Sequence, residues 1–262
     1  MVSVVRVIAG IREALRRHRH SERRAVRLAI GIASGLYRGM LAPFRFCLDP
    51  SYRSILFLRF LRRGDLHQST VQTRMDRYPE IFSVCHDYFA AKADLRILSY
   101  GCATGEEVLT LRRYFPSAFI TGAELNRGCL AVARKHRVDD RILFLEPDPG
   151  AILQRGPFDA IFCMAVLQRT PMRVAAAGIG SLKSIYPFEK FDRKVTELDS
   201  WLKKDGLLVV HHSQYSLMDA AVGSKFVPLE TAKNIFSPGP RFDRRSVRCD
   251  VPANSVFVKV RD

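Results

Sequence analysis

Cysteine pairs are missing from this sequence in the spacings that metal and redox centres use. The six cysteines, Cys47, Cys85, Cys102, Cys129, Cys163 and Cys249, include no CxxC pair, and no histidine cluster accompanies them. No metal site is therefore expected. Cys163 stands in the apolar run Phe162-Cys163-Met164, where a thiol acts as a small hydrophobe. Cysteine spacing and surroundings of this kind point to a reduced, cytoplasmic compartment. Long apolar runs are missing too. Ala25 to Leu48 is apolar in part, but Arg27, Arg38, Pro43 and Arg45 interrupt it, so no membrane span is expected. The N-terminus has neither the apolar core nor the small-residue cleavage site of a secretory signal. There is no internal repeat and no low-complexity tract.

Acidic residues and lysine are scarce at the start of the chain. From Met1 to Arg63 there are 14 arginines, no lysine, and only Glu13, Glu22 and Asp49 as acids, so this stretch holds +11 of the net +16. Such a charge attracts an anionic partner. Val2, Val5, Ile8, Ile11 and Leu15 recur at helical spacing with arginines between them, which predicts a basic amphipathic helix. Further helices are predicted over Ser21–Met40, Ser51–Arg63 and Tyr78–Ala91. Aromatic interleaving of the kind a single-strand nucleic-acid binder uses is lacking. The segment is expected to form a lid over an acceptor pocket or to lie on an anionic membrane surface, with nucleic acid ranked third. We place a basic helical extension at 1–92 and a second domain at 93–262.

From Leu95 the pattern becomes short β-rich runs alternating with helices. The runs are Arg96–Tyr100, Ala118–Ala123, Arg141–Phe144, Asp159–Cys163 and Gly206–Val210; the clearest helices are Glu106–Tyr114, Arg127–His136 and Phe188–Lys203. This alternation predicts a parallel sheet covered on both faces. Asn254–Val260 alternates with no helix after it and suits an antiparallel edge strand. The expected fold class is α/β, with a seven-stranded, mostly parallel, Rossmann-like sheet.

The first run ends in Gly101-Cys102-Ala103-Thr104-Gly105-Glu106-Glu107. The glycines permit a sharp turn and close backbone approach, and Thr104 and Glu107 have capping-box spacing. Ligands of open α/β sheets bind at such a place. Nineteen residues after Gly105 comes Glu124, an acid at a strand end suited to two ribose hydroxyls. Asp148 follows the third run, where it could accept from an adenine amino group. The three-glycine dinucleotide fingerprint GxGxxG is absent, and Glu106 and Glu107 would repel a pyrophosphate. They could instead pair with the ammonium of a methionyl group, which favours S-adenosylmethionine (SAM) as the cofactor.

The Gly101–Glu107 loop, Glu124, Asp148, the strand Gly156-Pro-Phe-Asp-Ala-Ile-Phe-Cys163 and the turn Leu202-Lys-Lys-Asp-Gly-Leu-Leu208 together resemble class I SAM-dependent methyltransferases. Within them the set looks most like the chemotaxis-receptor branch, which methylates glutamate side chains. The resemblance covers roughly Arg74 to Tyr215. It implies that Arg77, in Arg77-Tyr78-Pro79, meets the cofactor carboxylate, with Arg74 as fallback. The sequence departs from that branch after Cys163: Met164-Ala165-Val166 stands where the branch has Arg-Asn-Val. The candidate cofactor-binding residues are Arg77, Gly101, Cys102, Ala103, Gly105, Glu106, Glu124, Leu125, Asp148 and Met164.

Methyl transfer from a sulfonium is an in-line displacement, so the protein mainly positions and desolvates the pair. A base is needed only if the acceptor must lose a proton. Candidates follow the fifth run: His211, His212, Gln214 and Tyr215, with His212 and Tyr215 preferred. Adjacent histidines on a strand point to opposite sides, so one of the two is expected to face the pocket. His67, Tyr186 and His86 are further candidates, His86 on a helix surface. The expected acceptor is a small molecule or a lipid- or glycan-linked metabolite. A protein carboxylate, a nucleic acid, or SAM binding without turnover are the alternatives.

Overall fold

A computed structural model describes residues 73–262 together with Pro43, Phe46, Cys47, Leu56, His67 and Gln68. The helices predicted over 2–15, 21–40 and 51–63 lie outside the described residues, Leu56 apart. The chain separates into compact units at Met1–Leu56 and Phe57–Asp262. All elements named below belong to the second.

Helix α1 (Pro79–Tyr88) leads into β1 (Arg96–Tyr100), α2 (Glu106–Tyr114), β2 (Phe119–Ala123), α3 (Arg127–Ala133), β3 (Ile142–Leu145), α4 (Pro149–Leu153) and β4 (Phe158–Met164). Then follow α5 (Pro171–Ala176), α6 (Phe188–Trp201), β5 (Leu202–His211), β6 (Phe226–Pro228), β7 (Arg241–Phe242), β8 (Arg248–Cys249) and β9 (Val256–Lys259). The main sheet has seven strands in the order β3-β2-β1-β4-β5-β9-β6. Strands β1 to β5 pair in parallel, and β9 runs antiparallel between β5 and β6. The predicted sheet is therefore present, with its antiparallel strand at the end of the sequence. That strand is internal, not an edge, because the short β6 lies outside it. Sequence periodicity offers no hint of β6, only three residues long, nor of the two-stranded ribbon β7–β8.

Period-two alternation distributes each strand between two cores. Leu98, Ile161, Leu208 and Val210 face α6, through Phe191, Val195, Leu198 and Trp201. Ile97, Ala160, Phe162, Leu207 and Val209 face the other way, toward Ile81, Phe82 and Cys85 of α1 and Val108 and Leu111 of α2. Helix α1 is thus a full member of this core. All seven residues of β4 are buried, as a central parallel strand covered on both faces requires. Among the described residues no helix is long and apolar enough to cross a membrane.

Candidate cofactor and acceptor site

Where β1 ends, the chain makes a left-handed turn. Gly101, Ala103 and Gly105 all have positive φ, at 82°, 51° and 100°. Gly101 N–H donates to the Ala123 carbonyl at 2.7 Å, so the turn is anchored to the end of β2. A Cβ on Gly101 would lie 2.4 Å from Val166 Cγ2, in the loop after β4. Glycine is needed here both for conformation and for close approach. The capping box predicted at Thr104 and Glu107 is not formed. Gly105 is the N-cap and offers no side chain. Thr104 donates to Glu106 instead, at 2.6 Å, and Glu107 receives the Ser99 hydroxyl at 2.7 Å.

Glu124 sits at the centre of this turn. Its Oε2 accepts from Ala103 N–H at 2.8 Å and its Oε1 from Asn126 N–H at 2.6 Å. One carboxylate therefore holds the loop after β1 against the turn after β2. Burial raises its pKa, against the pull of the backbone N–H groups. A carboxylate has about four lone-pair sites, and the Ala103, Asn126 and Leu125 N–H groups take up to three of them, so acceptor capacity remains for a ribose hydroxyl. Leu125 is half-buried beside it, Cys102 is buried beneath the turn, and Met164 is buried at the end of β4. Asp148 stands apart: it is exposed, and its Oδ1 caps α4 by accepting from Ala151 N–H at 2.9 Å. The structure gives it a capping role at the edge of the site.

Arg77 reaches the same turn from before the core. Asp76 N–H donates to Thr110 Oγ1 of α2 at 2.9 Å, and Tyr114 donates to Asp76, which pins the segment to α2. The Arg77 guanidinium lies 5.1 Å from the Tyr78 ring centroid, and its charge is felt by Glu107, His211 and His212. Burial pushes the Glu107 carboxyl up to about 8, with Ser99 and Arg77 opposing.

The two histidines do not point to opposite sides. His211 ends β5, but His212 has φ 53° and turns back, so the two rings meet at 4.6 Å. Both pack on Tyr78, at 4.7 and 5.5 Å. The strand rule fails because His212 is already past the strand. Burial, chiefly, lowers both pKa values, His211 to about 3, so both imidazoles are neutral at pH 7. Tyr78 Oη is buried without a hydrogen-bond partner, an orphan polar atom beside the turn. Two acids and an arginine gathered at the ends of β1 and β2 are a donor set whose chemistry fits SAM.

Tyr215, the second preferred catalytic candidate, lies in the core. It is 1% exposed, and its hydroxyl donates to the Tyr186 carbonyl at 2.5 Å and meets Ser246 Oγ at 3.0 Å. Its ring packs on Phe188 and Phe191 of α6. The hydroxyl is thus engaged by two partners within the core. His86 lies exposed in the last turn of α1, as expected. His67 and Tyr186 are brought together, with Nδ1 and Oη 2.6 Å apart. Sequence reasoning missed Tyr78, whose stacking depends on contacts far along the chain. It also missed the tie between Arg169 N–H and Gln214 Oε1, at 2.7 Å. No group of side chains among the described residues could hold a metal ion.

Residues 98–210 match a family model described as a methyltransferase domain. Over 118 residues the chain is 30% identical to malonyl-[acyl-carrier protein] O-methyltransferase of Bacillus cytotoxicus, covering 44% of this chain and 41% of that one. Over 95 residues it is 36% identical to an uncharacterised protein of Synechococcus sp., covering 34% and 23%. The chain thus spans less than half the length of these curated relatives. A solved precorrin-6y C5,15-methyltransferase from Geobacter metallireducens superposes with a TM-score of 0.35 at 17% identity, over 53% of this chain and 65% of that one. The family match begins in β1 and stops in β5, and so takes in the turn around Glu124; over residues 98–210 the chain is accordingly similar to a methyltransferase domain.

Proposed function

We propose that the protein transfers a methyl group from SAM to a small molecule or a lipid- or glycan-linked metabolite that approaches over the carboxyl edge of β4 and β5. The observation that carries this reading is the Glu124 carboxylate, which holds the Gly101–Gly105 turn open while keeping acceptor capacity for a ribose. Glu106 or Glu107 would meet the cofactor's ammonium, and Arg77 its carboxylate. SAM, when bound, supplies an already activated methyl group. The chain then has to orient the acceptor and exclude water. His212, whose pKa burial lowers, would take the proton where the acceptor carries one.

A carboxylate acceptor is the second reading. The likeness of the Gly101–Glu107 loop to the glutamate-methylating branch favours it, as does the relative named for malonyl-[acyl-carrier protein]. The arginine-rich stretch 1–63 would bring the enzyme to an anionic membrane surface from the cytoplasm, or close over the acceptor as a lid. Incubating the full chain with methyl-labelled SAM and separate metabolite, membrane, protein and RNA fractions tests these readings. Label entering the metabolite or lipid fraction supports the first; label confined to protein or RNA overturns it.

Two further outcomes follow. Replacing Arg77 by Lys removes the planar fork that matches a carboxylate. SAM affinity should fall by about tenfold, roughly 1.4 kcal/mol, with the melting temperature of the ligand-free protein nearly unchanged. A variant that is merely less stable would return Arg77 to a structural role. The second outcome concerns pH. Glu107, held protonated up to about pH 8, must ionise to meet the cofactor's ammonium. Binding then releases a proton, so SAM affinity should rise with pH from 6 toward 8, by up to about tenfold per unit. The same raised pKa makes the folded, ligand-free chain bind more protons than the unfolded one above pH 4.5. Its contribution to stability therefore falls over that range. Calorimetry in buffers of different ionisation enthalpy measures the released proton, and a pH-independent affinity would count against Glu107.

A further inference from the structure

A second polar cluster lies on the carboxyl edge, away from the Gly101 turn. Helix α6 precedes β5 and runs antiparallel to it, so its first turns lie at the edge where β4 and β5 end. Those turns carry Glu189, Lys190 and Lys194, the last ion-paired with Glu197. The loop after β4 brings Arg169, whose Nη1 donates to the His67 carbonyl at 3.2 Å. The loop after β5 brings Gln214, 1% exposed. Three hydrogen bonds fix it. Its N–H reaches the Leu167 carbonyl at 3.4 Å, its carbonyl accepts from Phe242 N–H at 2.9 Å, and its Oε1 accepts from Arg169 N–H at 2.7 Å.

The other end of that amide is unmatched. Gln214 Nε2 is buried and has no hydrogen-bond partner. An amide nitrogen sits close to its own oxygen, so this donor lies beside the Arg169 backbone. A buried N–H left without an acceptor costs about 1–3 kcal/mol, and flipping the amide would only exchange one mismatch for another, since Arg169 N–H would then face an N–H. The orientation is therefore fixed and the donor is left for a ligand oxygen. Charge points the same way. Burial, then Lys190, Lys194, Arg169 and Arg193, push His67 to about 3, so a neutral imidazole stands in a positive field. The loop that bonds this amide through Arg169 N–H and the Leu167 carbonyl is itself unusual in conformation. Ala165 and Thr170 bracket it, and both non-glycine residues have positive φ, 59° and 42°. For the β-branched Thr170 this is a strained conformation.

Resting on the methyltransferase reading, we propose that Gln214 Nε2 and Arg169 form the subsite for an anionic oxygen of the methyl acceptor, a carboxylate or a phosphate monoester. The amide supplies one N–H and the guanidinium the charge. This makes the acceptor an acid whose anionic end is held between the β4 and β5 loops.

The test uses the full chain loaded with S-adenosylhomocysteine. Hexanoate, hexyl phosphate and the neutral methyl hexanoate are titrated by calorimetry. At least one anion should bind saturably and the ester at least tenfold more weakly; which anion binds identifies the oxygen. Gln214→Glu keeps the acceptor for Arg169 N–H but exchanges the donor for a carboxylate held ionised by Arg169. It should weaken the anion tenfold or more and leave S-adenosylhomocysteine affinity unchanged. Arg169→Gln, whose backbone bond to Gln214 survives, should do the same and serves if the first variant does not fold. No saturable anion binding to the wild type, equal binding of the ester, or an unchanged affinity in the variants would overturn the subsite. Failure of the wild type to bind S-adenosylhomocysteine would instead overturn the methyltransferase reading.

Discussion

Glu124→Ala should weaken SAM binding by about one to two orders of magnitude. The carboxylate would make a charge-assisted hydrogen bond to the ribose, worth roughly 1.5–3 kcal/mol. Alanine also releases Ala103 N–H and Asn126 N–H, which the carboxylate holds at 2.8 and 2.6 Å. The turn after β1 then loses its link to the turn after β2, so the pocket is loosened as well as stripped of an acceptor. Glu124→Gln separates the two effects. It keeps one oxygen, and should retain most of the turn's stability while losing part of the affinity. Calorimetric titration of SAM into the three proteins measures this. If Glu124→Ala binds SAM as the wild type does, the ribose assignment is wrong.

Gly101→Ala should lower stability by about 2–5 kcal/mol. A left-handed conformation costs an L-residue roughly 1–2 kcal/mol, and overpacking adds roughly 1–3 kcal/mol. Both apply: φ is 82°, and the new Cβ would lie 2.4 Å from Val166 Cγ2. At about 2–4 °C per kcal/mol for a chain of this size, the melting temperature should drop by roughly 5–15 °C. Val166→Ala introduced with it removes the clash and leaves the conformational cost. The double variant should therefore melt above the value that adding the two single effects would give. Thermal melts of the four proteins decide it, and strict additivity would mean that Gly101 and Val166 do not meet.

The strands were legible because a buried parallel strand imposes its own pattern. β1 coincides with the run read from Arg96 to Tyr100, and α2 with Glu106–Tyr114. The turn after β1 was legible because only glycine tolerates φ of 82° and 100° with a strand on one side and a helix on the other. Helix starts were less so: the Thr104 and Glu107 spacing suited a capping box, but Ser99 bonds Glu107 from the strand. Side-chain surroundings after β5 were read poorly. His212 departs from strand geometry within one residue, and Tyr215 is bound by Tyr186 and Ser246, which lie 29 and 31 residues away. Contacts of that range leave no local pattern. The orphan amide of Gln214 is likewise visible only once the β4 and β5 loops are side by side.

The strand order also bears on how the chain is made. β5 has one permanent neighbour, β4, and its other edge is covered by β9, residues Val256–Lys259. β6 in turn joins the sheet only through β9. During synthesis, β3 to β5 can assemble as soon as they leave the ribosome, but one edge of β5 stays bare until the last strand arrives. That edge belongs to Leu207, Leu208 and Val209, whose partners are Val258, Phe257 and Val256. Bare apolar edges recruit other chains. Translation products that stop before residue 256 should therefore aggregate even though the whole cofactor-binding turn has been made.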